Sequence, residues 1–326
     1  MLRKIIKALL PLIFITGQSF AAVTIVALVP DADQFHTVIQ AIKDELGSSY
    51  RVEIIDIREP PGEATMLNRC KRWNAKAVIL MDSKAVKAAQ AMQKSDSAFA
   101  ALPKFVYMTL MADATAAGLS NACGIFFEVP LFTLVTKFRI ISAKDFLTVG
   151  VFYRKSYSKM IEETARLLRT EKIALRAECI DSAQTGAVTQ ETVLEALKNG
   201  FNKMKKGAKP DVLVVTADNL ILNNASLNEF WLGEVKDRKI PVIAPLAILT
   251  SKDIAAAAFA VEPDLPQLGA QAANQIFECL EKGVKPVAMG FQQTISVIST
   301  VNSKVAEDIG WGLKAEKLSG VNSVVK

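Results

Sequence analysis

Val23-Thr-Ile-Val-Ala-Leu-Val29, then Pro30-Asp-Ala-Asp33, then a run in which Phe35, Val38, Ile39, Ile42 and Leu46 recur at intervals of three and four, is the stretch that decides the fold. Its opening is almost continuously apolar and rich in β-branched residues, as a strand buried on both faces requires. The spaced apolar residues make one stripe along an α-helix. Val52 to Ile57 then supplies a second apolar run. A strand, a helix and a strand in that order form the repeating unit of a mostly parallel sheet.

The same alternation continues toward the C-terminus. Strands are expected at Ala77 to Met81 and Phe105 to Met108, with helices at Ala64 to Trp73 and Lys84 to Lys94. After Gly124 a second set begins. Pro130 opens a helix running to Ile141, and Pro suits the first helical position because the missing amide would be unpaired there. Strands follow at Leu147 to Tyr153, Leu175 to Ile180, Asp211 to Val215, Val242 to Ala244 and Ala256 to Val261. Helices fall near Ser158 to Leu168, Thr189 to Met204, Leu227 to Val235 and Leu265 to Lys282. No low-complexity linker divides the two sets, so lobes joined by several crossing strands are expected rather than beads on a string.

Toward the N-terminus, Arg3, Lys4 and Lys7 precede the apolar run Ala8 to Ile15, and Ser19 and Ala21 place small side chains before a cut. This is the pattern of a secretory signal peptide over residues 1–21, with the mature chain starting at Ala22. The run is too short to span a bilayer, which takes about 20 residues. No cysteine lies near the cut, so a soluble product in the periplasm is expected, without a lipid anchor.

About 305 residues remain, the length of two ordinary domains. The net charge of +6 includes the three basic leader residues, leaving +3. That balance, with no basic run interleaved with aromatics, argues against a nucleic-acid partner. Cys70, Cys123, Cys179 and Cys279 are widely spaced with no C-x-x-C pair, which excludes a zinc ribbon or a thioredoxin motif. They read as small buried apolar side chains, and Cys70 with Cys279, in segments assigned to the same lobe, is the one pair to test for a disulfide.

His36 is the single histidine, so any Ser-His-Asp or Cys-His catalytic set would have to be built on it. No phosphate-binding glycine loop, zinc-protease motif or calcium loop occurs. No metal, cofactor or catalytic residue is expected, and the chain does not read as an enzyme. A hydrolase would have only Ser83 or Ser156 to offer as nucleophile.

Binding remains. In open α/β sheets ligands sit beyond the carboxyl ends of parallel strands, near helix N-termini. In lobe one those ends offer Asp33 and Phe35, Asp82 and Ser83, and Thr109. In lobe two they offer Tyr153, Ser156 and Tyr157, then Asp218 and Asn219, then Pro245. Phe126, Phe127 and Glu128 lie at the crossover. Asp33, Ser83 and Ser156 have an alternative role as helix caps, Asp218 and Asn219 as a turn, and the Phe pair as core.

Several blocks resemble a known family, the ABC-transporter substrate-binding proteins of the tryptophan/tyrosine-binding type. They are Leu147-Thr-Val-Gly-Val-Phe-Tyr153, Thr216-Ala-Asp218-Asn219, Ile240-Pro-Val-Ile-Ala244, Leu268-Gly269-Ala-Gln271-Ala272-Ala273 with Gly283 to Pro286, and Val301-Asn302 with Ala306 and Gly310. The first-lobe loops Pro30 to His36 and Thr109-Leu-Met-Ala-Asp113 depart from the family pattern. The resemblance implies a type I periplasmic binding protein: two doubly wound parallel-sheet α/β lobes joined by three crossover strands. Lobe one would hold residues 22–127 and 263–292, and lobe two 128–262 and 293–326. It further implies a monomer that captures a small molecule, an amino acid among the candidates, and delivers it to an ABC permease in the inner membrane. For an amino acid, Asp218 would take the ammonium, Ser83 or Ser156 the carboxylate, and Phe127 or Tyr157 the side chain. The alternative output is a ligand-sensing subunit presenting to a histidine kinase or chemoreceptor.

Overall fold

The structure, a computed structural model, describes residues 22–59, 61–181, 189–206 and 209–326. The leader lies outside the described residues. Strand β1 (Val23–Val29) pairs in parallel with β2 (Tyr50–Asp56) and β3 (Ala77–Met81), with Ile25 opposite both Val52 and Ala77. β4 (Lys104–Tyr107), β5 (Ala122–Ile125) and the two-residue β11 (Phe291–Gln292) extend this sheet, giving the order β11-β5-β4-β3-β1-β2.

The pleat explains why β1 and β3 are apolar throughout. Ile25, Ala27, Val29, Ala77, Ile79 and Met81 enter one core, and Val26, Leu28, Val78 and Leu80 enter the core on the opposite face. Each large aliphatic side chain buried this way contributes roughly 1.5–3 kcal/mol. The first core is covered by the helix Asp33–Leu46 and the helix Leu265–Leu280. These helices approach closely at Gly269, where a Cβ would stand 2.4 Å from the Ala41 Cβ and 2.8 Å from the Val38 carbonyl oxygen. The helices Glu63–Arg72 and Ser83–Ser95 cover the other face.

The second sheet contains β6 (Thr148–Tyr153), β7 (Ala174–Cys179), β8 (Val212–Val214), β9 (Val242–Ala244), β10 (Phe259–Pro263), β12 (Val297–Asn302) and β13 (Ser323–Val325). Its order is β13-β12-β10-β9-β8-β6-β7. The expected parallel lobes are present, with one addition: β12 runs antiparallel to β10. Helices Leu131–Ile141 and Ser158–Thr170 cover one face, and Gln190–Lys206 with Leu227–Val235 the other. The last is wound as a π-helix, a wider coil than its apolar spacing suggested. Asn223 caps its entry by accepting from Ala225 N and Ser226 N, and Trp231 Nε1 donates to the Ile221 carbonyl at 3.3 Å.

The chain crosses between sheets after β5, after β10 and after β11, and the three crossings are laced together. Phe126 N donates to Gln292 O at 2.9 Å and Asp264 N to Ser296 O at 3.1 Å. Gln271 donates from Nε2 to Gln293 O at 2.9 Å and accepts from Ile295 N at 3.2 Å. Short extended segments of this kind are the parts of a two-lobed protein that can absorb a hinge rotation.

Cys70 and Cys279, the pair to test for a disulfide, enter the cores on opposite faces of the first sheet. Cys123 is buried in the same core as Cys279. Burial pushes the Cys70 and Cys123 thiols up to about 11 and about 12. Among the described residues no helix is long and apolar enough to cross a membrane.

Candidate functional site

Residues just beyond the carboxyl ends of β4 and β6 line one cavity of about 540 Å³ that both lobes share. Lobe one contributes Met111 and Asp113, the crossings contribute Phe126, Glu128 and Gln293, and lobe two contributes Phe132, Ser156, Tyr157, Lys159 and Met160. The volume suits a small organic ligand, and a mainly apolar wall with a few polar groups is the usual composition of such a site.

Glu128 ties the first crossing to lobe one here. Its Oε1 accepts a hydrogen bond from the backbone amide of Met111, while Oε2 is buried with no partner. Removal from water pushes the carboxyl up to about 7, and the nearby charge of Asp113 acts in the same direction. Met111 holds φ at 49°, as does Met108. Left-handed backbone is costly for a residue with a side chain and is typically retained where the surroundings enforce it. The bond to Glu128 is one such enforcement. Asp82, at the end of β3, has φ 78° and caps the next helix by accepting from Lys84 N at 2.8 Å.

On the lobe-two side, Arg154 Nε donates to Asp218 Oδ2 at 2.5 Å. Asp218 is fully buried and its Oδ1 accepts from Leu220 N at 2.9 Å. Among the described residues the terminal nitrogens of Arg154 have no hydrogen-bond acceptor, and its side chain is 28% exposed. Tyr157 lies beneath, donating its hydroxyl to Ala217 O at 2.7 Å. Burial raises the pKa of this phenol, the charges of Asp218 and Glu128 raise it further, and Arg154 opposes them. Tyr157 is therefore within electrostatic reach of Arg154, Asp218 and Glu128.

The structure sorts the residues nominated from sequence. Glu128, Ser156 and Tyr157 line the cavity, and Asp218 stands behind Arg154. Phe127 packs on the lobe-one core, and Tyr153 on a lobe-two core. Phe35 is buried in the lobe-one core, because its place in the helix stripe outweighs its proximity to a strand end. Thr109 is buried and spends its hydroxyl on Tyr107 O at 3.1 Å. Ser83 is exposed beside Asp82, Asn219 is exposed, and Pro245 is buried. Asp33 is the first helical residue rather than the cap, which is Ala32. Asp218, nominated for a ligand ammonium, is buried, with Oδ2 engaged by Arg154 and Oδ1 by Leu220 N. Met111, Asp113, Phe132 and Met160 also line the cavity, and Arg154 stands beside Asp218; none of them was nominated from the sequence. At the lobe-one surface Asp31 pairs with His36 at 2.6 Å and with Arg58, which in turn pairs with Asp56.

The fold is shared by several solved structures. A ligand-free, open substrate binding protein with adhesive properties from Clostridium difficile matches with a TM-score of 0.66 at 16% identity, over 94% of this chain and 100% of that one. An ABC domain in complex with L-Trp from Streptococcus pneumonia matches with a TM-score of 0.57 at 15% identity, over 93% and 100%. A periplasmic ribose ABC transporter from Conexibacter woesei matches with a TM-score of 0.54 at 14% identity, over 88% and 93%. No protein-family model and no curated protein sequence matches the chain. Two α/β lobes, joined by three crossings and facing each other through strand carboxyl ends, give this chain the type I periplasmic binding protein fold.

Proposed function

We propose that the protein is a solute-binding protein of the periplasm that captures a small amphipathic molecule between its lobes and presents it to an ABC permease. The observation that carries this reading is the cavity shared by Met111 of lobe one, Glu128 of a crossing and Tyr157 of lobe two. Closure about the laced crossings would desolvate a ligand there against groups already in position.

An amino acid suits the arrangement, with roles revised from those the sequence suggested. The unpaired oxygen of Glu128 receives the ammonium. Arg154, held by Asp218, offers its terminal nitrogens to the carboxylate, and a guanidinium is geometrically matched to that group. Phe126, Phe132 and Met160 take the apolar side chain. Residues 1–21 direct export, and cleavage leaves Ala22 at the new N-terminus.

The test is a thermal-shift screen of amino acids, amines, sugars and nucleosides, followed by small-angle scattering with each hit. A compound that raises the melting temperature and compacts the molecule supports the reading. Stabilisation without compaction by every hit would refute capture between the lobes.

A further inference from the structure

Glu128 carries a feature that its structural role leaves unused. One oxygen holds the Met111 amide, and the other is buried, unpartnered and on the wall of the interlobe cavity. A carboxyl group kept from water beside Phe126 and Phe132 is stable either as the neutral acid or opposite a cation. The charged and titratable groups around it are few. Asp113, on the helix Ala112–Thr115, adds repulsion. Tyr157 is held as the neutral phenol, and Arg154 is paired through Nε with Asp218. On the helix Ser158–Thr170, Lys159 is exposed, and Glu163 pairs with Arg166. Among the described residues no lysine or arginine forms an ion pair with Glu128.

We infer that Glu128 is the specificity-determining residue of this cavity: it selects a ligand carrying a cationic nitrogen, and seating that cation releases the proton of its carboxyl. The inference rests on reading the cavity as the solute site. The balance is simple. The neutral acid and an ammonium ion combine to give a carboxylate-ammonium pair in the cavity and one proton in solution. Near neutral pH the carboxyl is close to half protonated, so binding there tightens as pH rises and releases about half a proton per ligand.

The test uses two probes of the same shape, tryptamine, which is cationic, and tryptophol, its neutral alcohol, titrated calorimetrically at pH 7 in buffers of different ionisation heat. Tryptamine is expected to bind at least roughly tenfold more tightly than tryptophol and to release protons. Glu128→Gln keeps an acceptor for the Met111 amide, so it should fold, lose the preference and abolish proton release. Equal affinities in the unmodified protein, tryptamine binding without proton release, or no tryptamine binding would overturn the inference. Tryptophol or indole-3-propionate binding more tightly than tryptamine, with compaction by scattering, would overturn charge selection and leave the clamp standing. No ligand-induced compaction by any compound of the wider screen would remove both.

Discussion

Arg154 and Asp218 are joined across 64 residues of sequence by an Nε–Oδ2 hydrogen bond of 2.5 Å. Asp218 is sealed in lobe two while Arg154 is partly exposed. A buried carboxylate holding a half-buried guanidinium fixes a cationic group in one orientation. Asp218→Ala removes that hold and also strands Leu220 N. Urea denaturation is expected to show a loss of about 2 kcal/mol, and affinity for any carboxylate-bearing ligand should fall with it. An unchanged midpoint would show that the pair contributes nothing to the fold.

Glu128 makes ligand-free stability depend on pH. Its carboxyl rises from an ordinary value of 4.5 to about 7 in the folded protein, chiefly through burial. The folded chain therefore binds more protons than the unfolded chain across that interval. Stability from this group is fully present below 4.5 and lost as pH rises through 7. Glu128→Gln is expected to flatten that part of the profile and to raise stability at pH 8 by about 2–3 kcal/mol. Parallel profiles for the two proteins from pH 4.5 to 8 would contradict the assignment.

Lys104 supplies the opposite sign at the far end of β4. It is fully buried, and Nζ donates to the carbonyls of Ala100, Leu102 and Ser120 at 3.0, 3.0 and 3.2 Å. Burial lowers its pKa from 10.5 to about 8, so the unfolded chain binds the extra proton between those values. Stability should rise with pH across this window. Relative to Lys104→Met, the protein is expected to gain about 3 kcal/mol between pH 8 and pH 10.5. A constant difference between the two would show that the lysine titrates normally.

The sulfur chemistry follows from burial. Cys70, Cys123 and Cys279 are enclosed in the two lobe-one cores with thiol pKa values raised by desolvation. A thiolate-selective reagent should leave these three unmodified in the native protein and label them on unfolding. A shift in gel mobility on reduction, traced by peptide mapping to Cys70 and Cys279, would contradict their placement on opposite sheet faces.

Much of the fold was legible in the sequence because strands buried on two faces must be apolar throughout. β1, β3 and β9 begin and end where the apolar runs do. Four strands were not foreseen: β11 is two residues long, β13 is largely exposed, β5 is a short run interrupted by Gly124, and β12 mixes Ser299 and Thr300 with its apolar residues. The site was less legible. Asp218 looked available because a sequence cannot show that Arg154 returns to it. Met111 gave no signal because its left-handed backbone is imposed by the crossover. Phe35 satisfied two descriptions at once, strand-end neighbour and helix-stripe member, and packing decided for the second.

On this account a small molecule is held between the lobes against Glu128 and Tyr157. The most direct measurement is a crystal structure of the protein purified without refolding and supplied with the strongest hit of the thermal-shift screen. The expected result is a closed molecule with the ligand in the cavity, a cationic nitrogen within hydrogen-bond distance of Glu128 Oε2. A ligand seated instead in the outer groove between Tyr50 and Phe277, with the interlobe cavity filled only by water, would contradict it.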